Sequence, residues 1–134
     1  MHFVGGGHYE ATKHLVYSES SNSWVSRPVP GGFFGVPNHG YDHIAINLAT
    51  RTLYHRQFNS PRMDRYNLDS ETWSQGASLT SVTPSYQVAA GVEWFPELGR
   101  VIYKDGDWGL YYYDPSNNSW SKKSGALAST GSYH

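Results

Sequence analysis

The chain contains no cysteine, which excludes disulfides and thiolate metal sites and leaves the redox compartment unmarked. No stretch approaches the roughly 20 apolar residues that a membrane-crossing helix needs. The first residues, Met1-His-Phe-Val-Gly-Gly-Gly7, lack the basic start and the long apolar run of a secretory signal. Charge is scarce as well, at 16% of residues with a net charge of -1. Ten Lys and Arg are scattered, with only Lys122-Lys123 adjacent, so there is no basic stripe for nucleic acid or an anionic membrane. Neither partner is expected, and the chain reads as soluble. There is also no His-x-His or His-Glu-x-x-His spacing, no phosphate-cradling loop and no nucleophile with its base. No metal site, cofactor or catalytic residue is therefore expected.

What the chain does have is aromatic side chains, at 16% of its 134 residues, together with 14 Gly and 7 Pro. That balance predicts an all-β protein of many short strands and tight turns. Three times a tyrosine stands seven residues before a tryptophan: Tyr17 and Trp24, Tyr66 and Trp73, Tyr113 and Trp120. The tryptophans are separated by 49 residues (24 to 73) and 47 residues (73 to 120), a period that marks stacked supersecondary units. A four-residue loop over Pro115–Asn118 pairs Asp114 with Ser119 and sets Tyr113 opposite Trp120. The same count sets Tyr66 opposite Trp73 and Tyr17 opposite Trp24. Opposed rings share a sheet face about 5 Å apart, and such a pair contributes up to about 1 kcal/mol.

Upstream of each hairpin two more strands are expected. In the middle unit they are His43–Asn47 and Thr52–His55. In the third they are Val88–Trp94 and Arg100–Tyr103, joined across Phe95–Gly99. Leu53-Tyr54 and Ile102-Tyr103 read as corresponding positions, 49 residues apart. Each unit then holds four strands in about 47 residues, which suits a propeller blade. The expected division is an incomplete blade over 1–37, full blades over 38–84 and 85–131, and the start of another at 132–134. About two and a half blades do not close a ring. The chain is thus expected to be part of a longer polypeptide, or a subunit completing a ring with other chains.

These residues resemble kelch repeats. The closest match is Tyr113-Asp-Pro-Ser-Asn-Asn-Ser-Trp120, and Phe3-Val-Gly-Gly-Gly-His8 is similar to the kelch strand-two ending. More narrowly, Gly5–His8, Val16-Tyr17, Trp24 and His39-Gly-Tyr-Asp42 resemble kelch-like propellers of bacteriophages and bacteria. The glycine doublet is missing after Leu53-Tyr54 and after Ile102-Tyr103. The resemblance implies a kelch-like β-propeller and a virion-associated or other structural role.

Propellers usually bind on the face formed by the strand-two-to-three loops and the blade-to-blade loops. That face would hold His8, Tyr9, Arg56, Phe58, Arg62, Asp105, Asp107 and Trp108. Exposed rings beside Asp and Arg suit a glycan, with an apolar plane for the sugar and charged groups for its hydroxyls. Packing of Trp108 and Phe58 between blades is the competing reading. His8, His39, His43 and His55 could converge, although hydrogen bonding to backbone explains them more simply. The copper radical site of kelch oxidases needs a cysteine, which this chain lacks, and Leu68–Trp73 lacks the glycine of a sialidase Asp-box. The expectation is a non-catalytic structural or adhesion module contacting protein or surface glycan. The alternatives are a fragment of a carbohydrate-active propeller enzyme and an intracellular kelch interaction scaffold.

Overall fold

A computed structural model describes residues 1–5, 13–29, 43–56, 61–82, 90–105 and 109–124, with 90, 105 and 124 described by backbone alone. The fold is all-β. Eleven strands are described: β1 (His2–Gly5), β2 (Lys13–Ser18), β3 (Ser23–Arg27), β4 (Ile44–Asn47), β5 (Thr52–Arg56), β6 (Arg62–Asn67), β7 (Thr72–Ser78), β8 (Ala90–Phe95), β9 (Arg100–Asp105), β10 (Leu110–Asp114) and β11 (Ser119–Ser124). They form three antiparallel sheets ordered β1-β2-β3, β4-β5-β6-β7 and β8-β9-β10-β11. The expected blade boundaries near 37, 84 and 131 lie outside the described residues. No helix among the described residues is long and apolar enough to cross a membrane.

Among the described residues, five hairpins close through four-residue turns at 19–22, 48–51, 68–71, 96–99 and 115–118. The last residue of every turn has positive φ: Asn22 at 47°, Arg51 at 48°, Glu71 at 55°, Gly99 at 61° and Asn118 at 54°. That left-handed conformation costs an ordinary L-residue about 1–2 kcal/mol, and Gly and Asn much less. Three of the five positions carry Gly or Asn; Arg51 and Glu71 are held there by the ladders on either side. The residue entering the turn often anchors it as well. Asn47 Oδ1 accepts from the backbone N–H of Ala49 at 3.0 Å, Asn67 Oδ1 from Asp69 at 2.9 Å, and Asp114 Oδ1 from Ser116 at 3.0 Å. Short polar side chains that bond backbone two residues ahead are strong turn formers. Phe95, expected in a loop, pairs with Arg100 and extends β8.

The turns fix register, and register fixes which face each ring takes. Tyr17 lies opposite Trp24, Tyr66 opposite Trp73, and Tyr113 opposite Trp120. Ring centroids in the three pairs are 5.4, 5.0 and 5.2 Å apart, with interplanar angles of 54°, 47° and 50°. One expected correspondence is corrected. Tyr66 is opposite Leu53 and Tyr113 is opposite Val101, so Leu53 matches Val101, and Tyr54 matches Ile102. Matching Leu-Tyr to Ile-Tyr by residue type slips the alignment by one and sends each side chain to the wrong face.

The sheets stack face to face. Ala45, Tyr54 and Met63 of the second sheet bury against Val92, Val101, Tyr103, Tyr111, Tyr113 and Trp120 of the third. Leu53 and Tyr66 turn the other way and bury with Val4 of the first sheet. The middle sheet is therefore apolar on both faces, one residue parity for each neighbour. β4 runs beside β8 and β7 beside β11, so the second and third sheets stack in the same strand order.

Candidate functional site

The aromatic pairs are the seams between sheets. Tyr113 meets Tyr54 of the second sheet edge-on at 6.1 Å, and Trp94 stacks on Tyr54 at 5.9 Å. The Trp120 indole N–H donates to the Ala77 carbonyl at 2.9 Å. Asn118 Oδ1 accepts from the Tyr113 hydroxyl at 2.7 Å and from the Ala77 backbone N–H at 2.8 Å. One left-handed turn residue thus ties its own sheet to its neighbour. Gly76 makes the close approach possible: a Cβ there would lie 2.1 Å from the Met63 carbonyl oxygen and 2.9 Å from the Tyr113 hydroxyl. Between the first and second sheets the same seam uses other chemistry. His14 sits edge-on to Tyr66 at 4.5 Å and to Trp73 at 5.6 Å. Arg27 pairs with Glu71 at 2.6 Å, where the third sheet has Asn118. In each case the Tyr–Trp face of a sheet meets the sheet before it.

Of the residues expected on a binding face, His8, Tyr9, Phe58, Asp107 and Trp108 lie outside the described residues, as does His39. Asp105 is described by its backbone, at the end of β9. Arg56 and Arg62 bound the connection between β5 and β6, where the reading puts a loop, but each is a strand residue. Arg62 is half-buried. Arg56 is wholly buried, with its guanidinium 4.9 Å from the centre of the Tyr103 ring of the third sheet.

Around His55 lies a set of buried polar residues, of which the sequence suggests only His43 and His55 as convergent. His14, His43, His55 and Asp64 are all at most 1% exposed. His43 and Arg56 are tied together: the Arg56 N–H donates to the His43 carbonyl at 2.9 Å, and His43 Nδ1 lies 3.1 Å from the Arg56 carbonyl. The histidine thus bonds backbone, as expected, but that of the neighbouring strand in its own sheet and not that of another sheet. His55 lies directly opposite Asp64 across the β5–β6 ladder. Burial first, and then positive charge on His43, Arg56 and His14, lowers the His55 pKa to about 3. Burial, with His2 and Arg27 nearby, lowers His14 to about 4. Burial raises Asp64 to about 7 although Arg62, 3.9 Å away, opposes the shift. Near neutral pH the two histidines are uncharged, and Asp64 is close to half protonated. Desolvation decides these states, since a charged form would lose water without full replacement.

Asp64 and His14 were not legible as members of this set, because charged and imidazole side chains ordinarily read as exposed. Among the described residues no group of three His, Cys, Asp or Glu side chains is placed to hold a metal ion. The chain matches no protein-family model, and no curated protein is significantly similar to it.

Proposed function

We propose that the three sheets are successive blades of a kelch-like β-propeller, and that the chain is a non-catalytic structural or adhesion module. The observation that carries this reading is the repeated seam, in which a Tyr–Trp face meets the preceding sheet twice over. Successive antiparallel sheets stacked face to face around an axis are how propellers protect their edges. Within each sheet the tight turns lie at one end and the longer connections at the other, and propellers use those connections for recognition. Residues around 6–12, 57–62 and 105–109 are the proposed contact surface, with Tyr9, Phe58 and Trp108 supplying rings and Arg62 and Asp107 supplying polar contacts. A surface glycan or another protein is the proposed ligand. The resemblance to phage and bacterial kelch-like proteins makes a virion a reasonable place to look. Arg56 belongs to the scaffold, since burial removes its guanidinium from any ligand.

The test is a glycan array, followed by incubation of each bound glycan with the chain and measurement of released reducing ends. Retention without release supports the module, and Trp108→Ala is expected to weaken it about tenfold or more without lowering thermal stability. Release of reducing ends, or retention unaffected by Trp108→Ala, Phe58→Ala and Arg62→Ala together, contradicts the reading.

A further inference from the structure

We propose that the outward face of the first sheet is a docking site for a second copy of this chain, which lays its third sheet against it. The inference rests on reading the sheets as blades of one ring, and it names the partner.

The first sheet repeats the third on the face that seeks a neighbour. Register aligns Met1, Phe3, Leu15, Tyr17 and Trp24 with Val101, Tyr103, Tyr111, Tyr113 and Trp120. In the third sheet all five are buried, and they form part of the core shared with the second sheet. In the first sheet Met1 is 72% exposed, Phe3 41% and Trp24 50%. A contiguous aromatic face of this kind marks an interaction surface. Its polar groups are already set as in the buried seam. The Tyr17 hydroxyl donates to Asn22 Oδ1 at 2.7 Å, and Asn22 has φ of 47°. This reproduces Tyr113 and Asn118, whose oxygen also accepts from the Ala77 N–H while the Trp120 indole N–H donates to the Ala77 carbonyl. Asn22 Oδ1 is thus set to accept from an N–H, and the Trp24 indole N–H to donate to a carbonyl, of a neighbouring outer strand.

The third sheet supplies the matching surface. Ala77 stands four residues beyond Trp73, and Ser124 stands four beyond Trp120, in a β11 that carries the same register shift as β7. The Ser124 backbone is the counterpart that Asn22 and Trp24 would meet. Arg56 of the second sheet covers the Tyr103 ring; at the same register positions the third sheet has Lys104, and the first sheet has Phe3. A lysine cation over a phenylalanine ring is the same type of attraction. Ile102 occupies the place of Tyr54, the side chain that meets Tyr113. Two copies joined head to tail bring six sheets together, within the roughly four to eight blades that close a propeller. Two-fold closure then makes two identical interfaces and leaves neither face open.

Sedimentation velocity on the 134-residue chain tests this. At micromolar concentration the expected species has twice the 15.0 kDa mass of the chain. Trp24→Glu on one face and Ile102→Glu on the other are each expected to weaken association about 30-fold or more. If Ile102→Glu does not fold by circular dichroism, the exposed Lys104→Glu takes its place. Mixing the two variants is expected to restore dimer, because each brings one intact face and the pair has one sound interface. A monomer overturns the proposal. So does a dimer broken by Trp24→Glu and untouched by the third-sheet variant, which would mean two first sheets packed on each other. A monomer that still binds glycan through its loops would sink this inference and leave the module reading standing; a dimer that binds nothing would do the reverse.

Discussion

Replacing each repeat tryptophan with alanine in turn separates two sources of stability that a single variant would confuse. The cross-strand Tyr–Trp contact is nearly the same in all three sheets, with centroids 5.0 to 5.4 Å apart. If that contact were the main contribution, the three substitutions would cost alike, about 1 kcal/mol each. The surroundings differ sharply. Trp120 is 6% exposed, packs beside Tyr103 at 5.9 Å and donates to the Ala77 carbonyl. Its truncation opens a cavity at the sheet junction and removes an indole hydrogen bond worth about 1 kcal/mol. The expected total is about 3–5 kcal/mol, the usual cost of emptying a buried tryptophan site. Trp73 is half-buried against His14 and should cost an intermediate amount. Trp24 is half exposed, so Trp24→Ala should cost about 1 kcal/mol when measured at dilutions where copies of the chain are separate. Urea unfolding followed by far-ultraviolet circular dichroism reads all three. Equal costs, or a larger cost at Trp24 than at Trp120, would refute the argument that the rings act chiefly between sheets.

Three further outcomes follow from the same geometry. Gly76→Ala is expected to lower stability by about 1–3 kcal/mol because its Cβ would meet a backbone oxygen; Gly91→Ala, with nothing within 4 Å, should be close to neutral in the same thermal melt. Asn118→Gly keeps the left-handed turn and removes the side-chain oxygen that binds Tyr113 and Ala77, so a loss of about 1–2 kcal/mol is expected, whereas no loss would mean that the seam does not depend on it. Acid should weaken the fold through the buried histidines. Their folded pKa values, about 4 for His14 and about 3 for His55, lie below the ordinary 6.5, so the stability they confer above pH 6.5 is lost as pH falls. Asp64 acts oppositely: raised from 3.8 to about 7, it confers stability at low pH that is lost as pH rises towards 7. Between pH 6.5 and 4 the unfolded chain takes up two histidine protons while the folded chain holds one on Asp64. In the middle of that range, around pH 5–6, these three groups give a net slope of about 1 kcal/mol per pH unit, with stability falling towards acid. Asp64→Asn removes the opposing proton and should roughly double that slope in urea titrations across this range; a shallower slope would contradict the assignment.

The hairpins were legible because a seven-residue Tyr-to-Trp spacing and a four-residue turn leave one register, and the turn residues carry the chemistry that closes it. Asn118 illustrates this: a residue that tolerates positive φ stands where the ladder requires one. The correspondence of β5 with β9 was read one residue out. Leu53-Tyr54 and Ile102-Tyr103 look alike by type, but only pairing to Tyr66 and Tyr113 tells which face each residue takes. Arg56 is buried although a charged residue next to a connection suggests solvent. Here the following sheet supplies Tyr103 to cover it, and no local pattern in Thr52–Arg56 announces a partner nearly fifty residues away. Asp64 escaped notice for the same reason.

If the aromatic pairs are contacts between sheets, the Trp120 indole proton reports on it most directly. In a nuclear Overhauser spectrum of the labelled chain, this proton should show cross-peaks to Ala77, and its exchange with deuterated solvent should be slow. The Trp24 indole proton should exchange fast at dilutions where copies are apart. A Trp120 indole with no cross-peak to Ala77, exchanging as fast as that of Trp24, would contradict the stacked arrangement and the ring built from it.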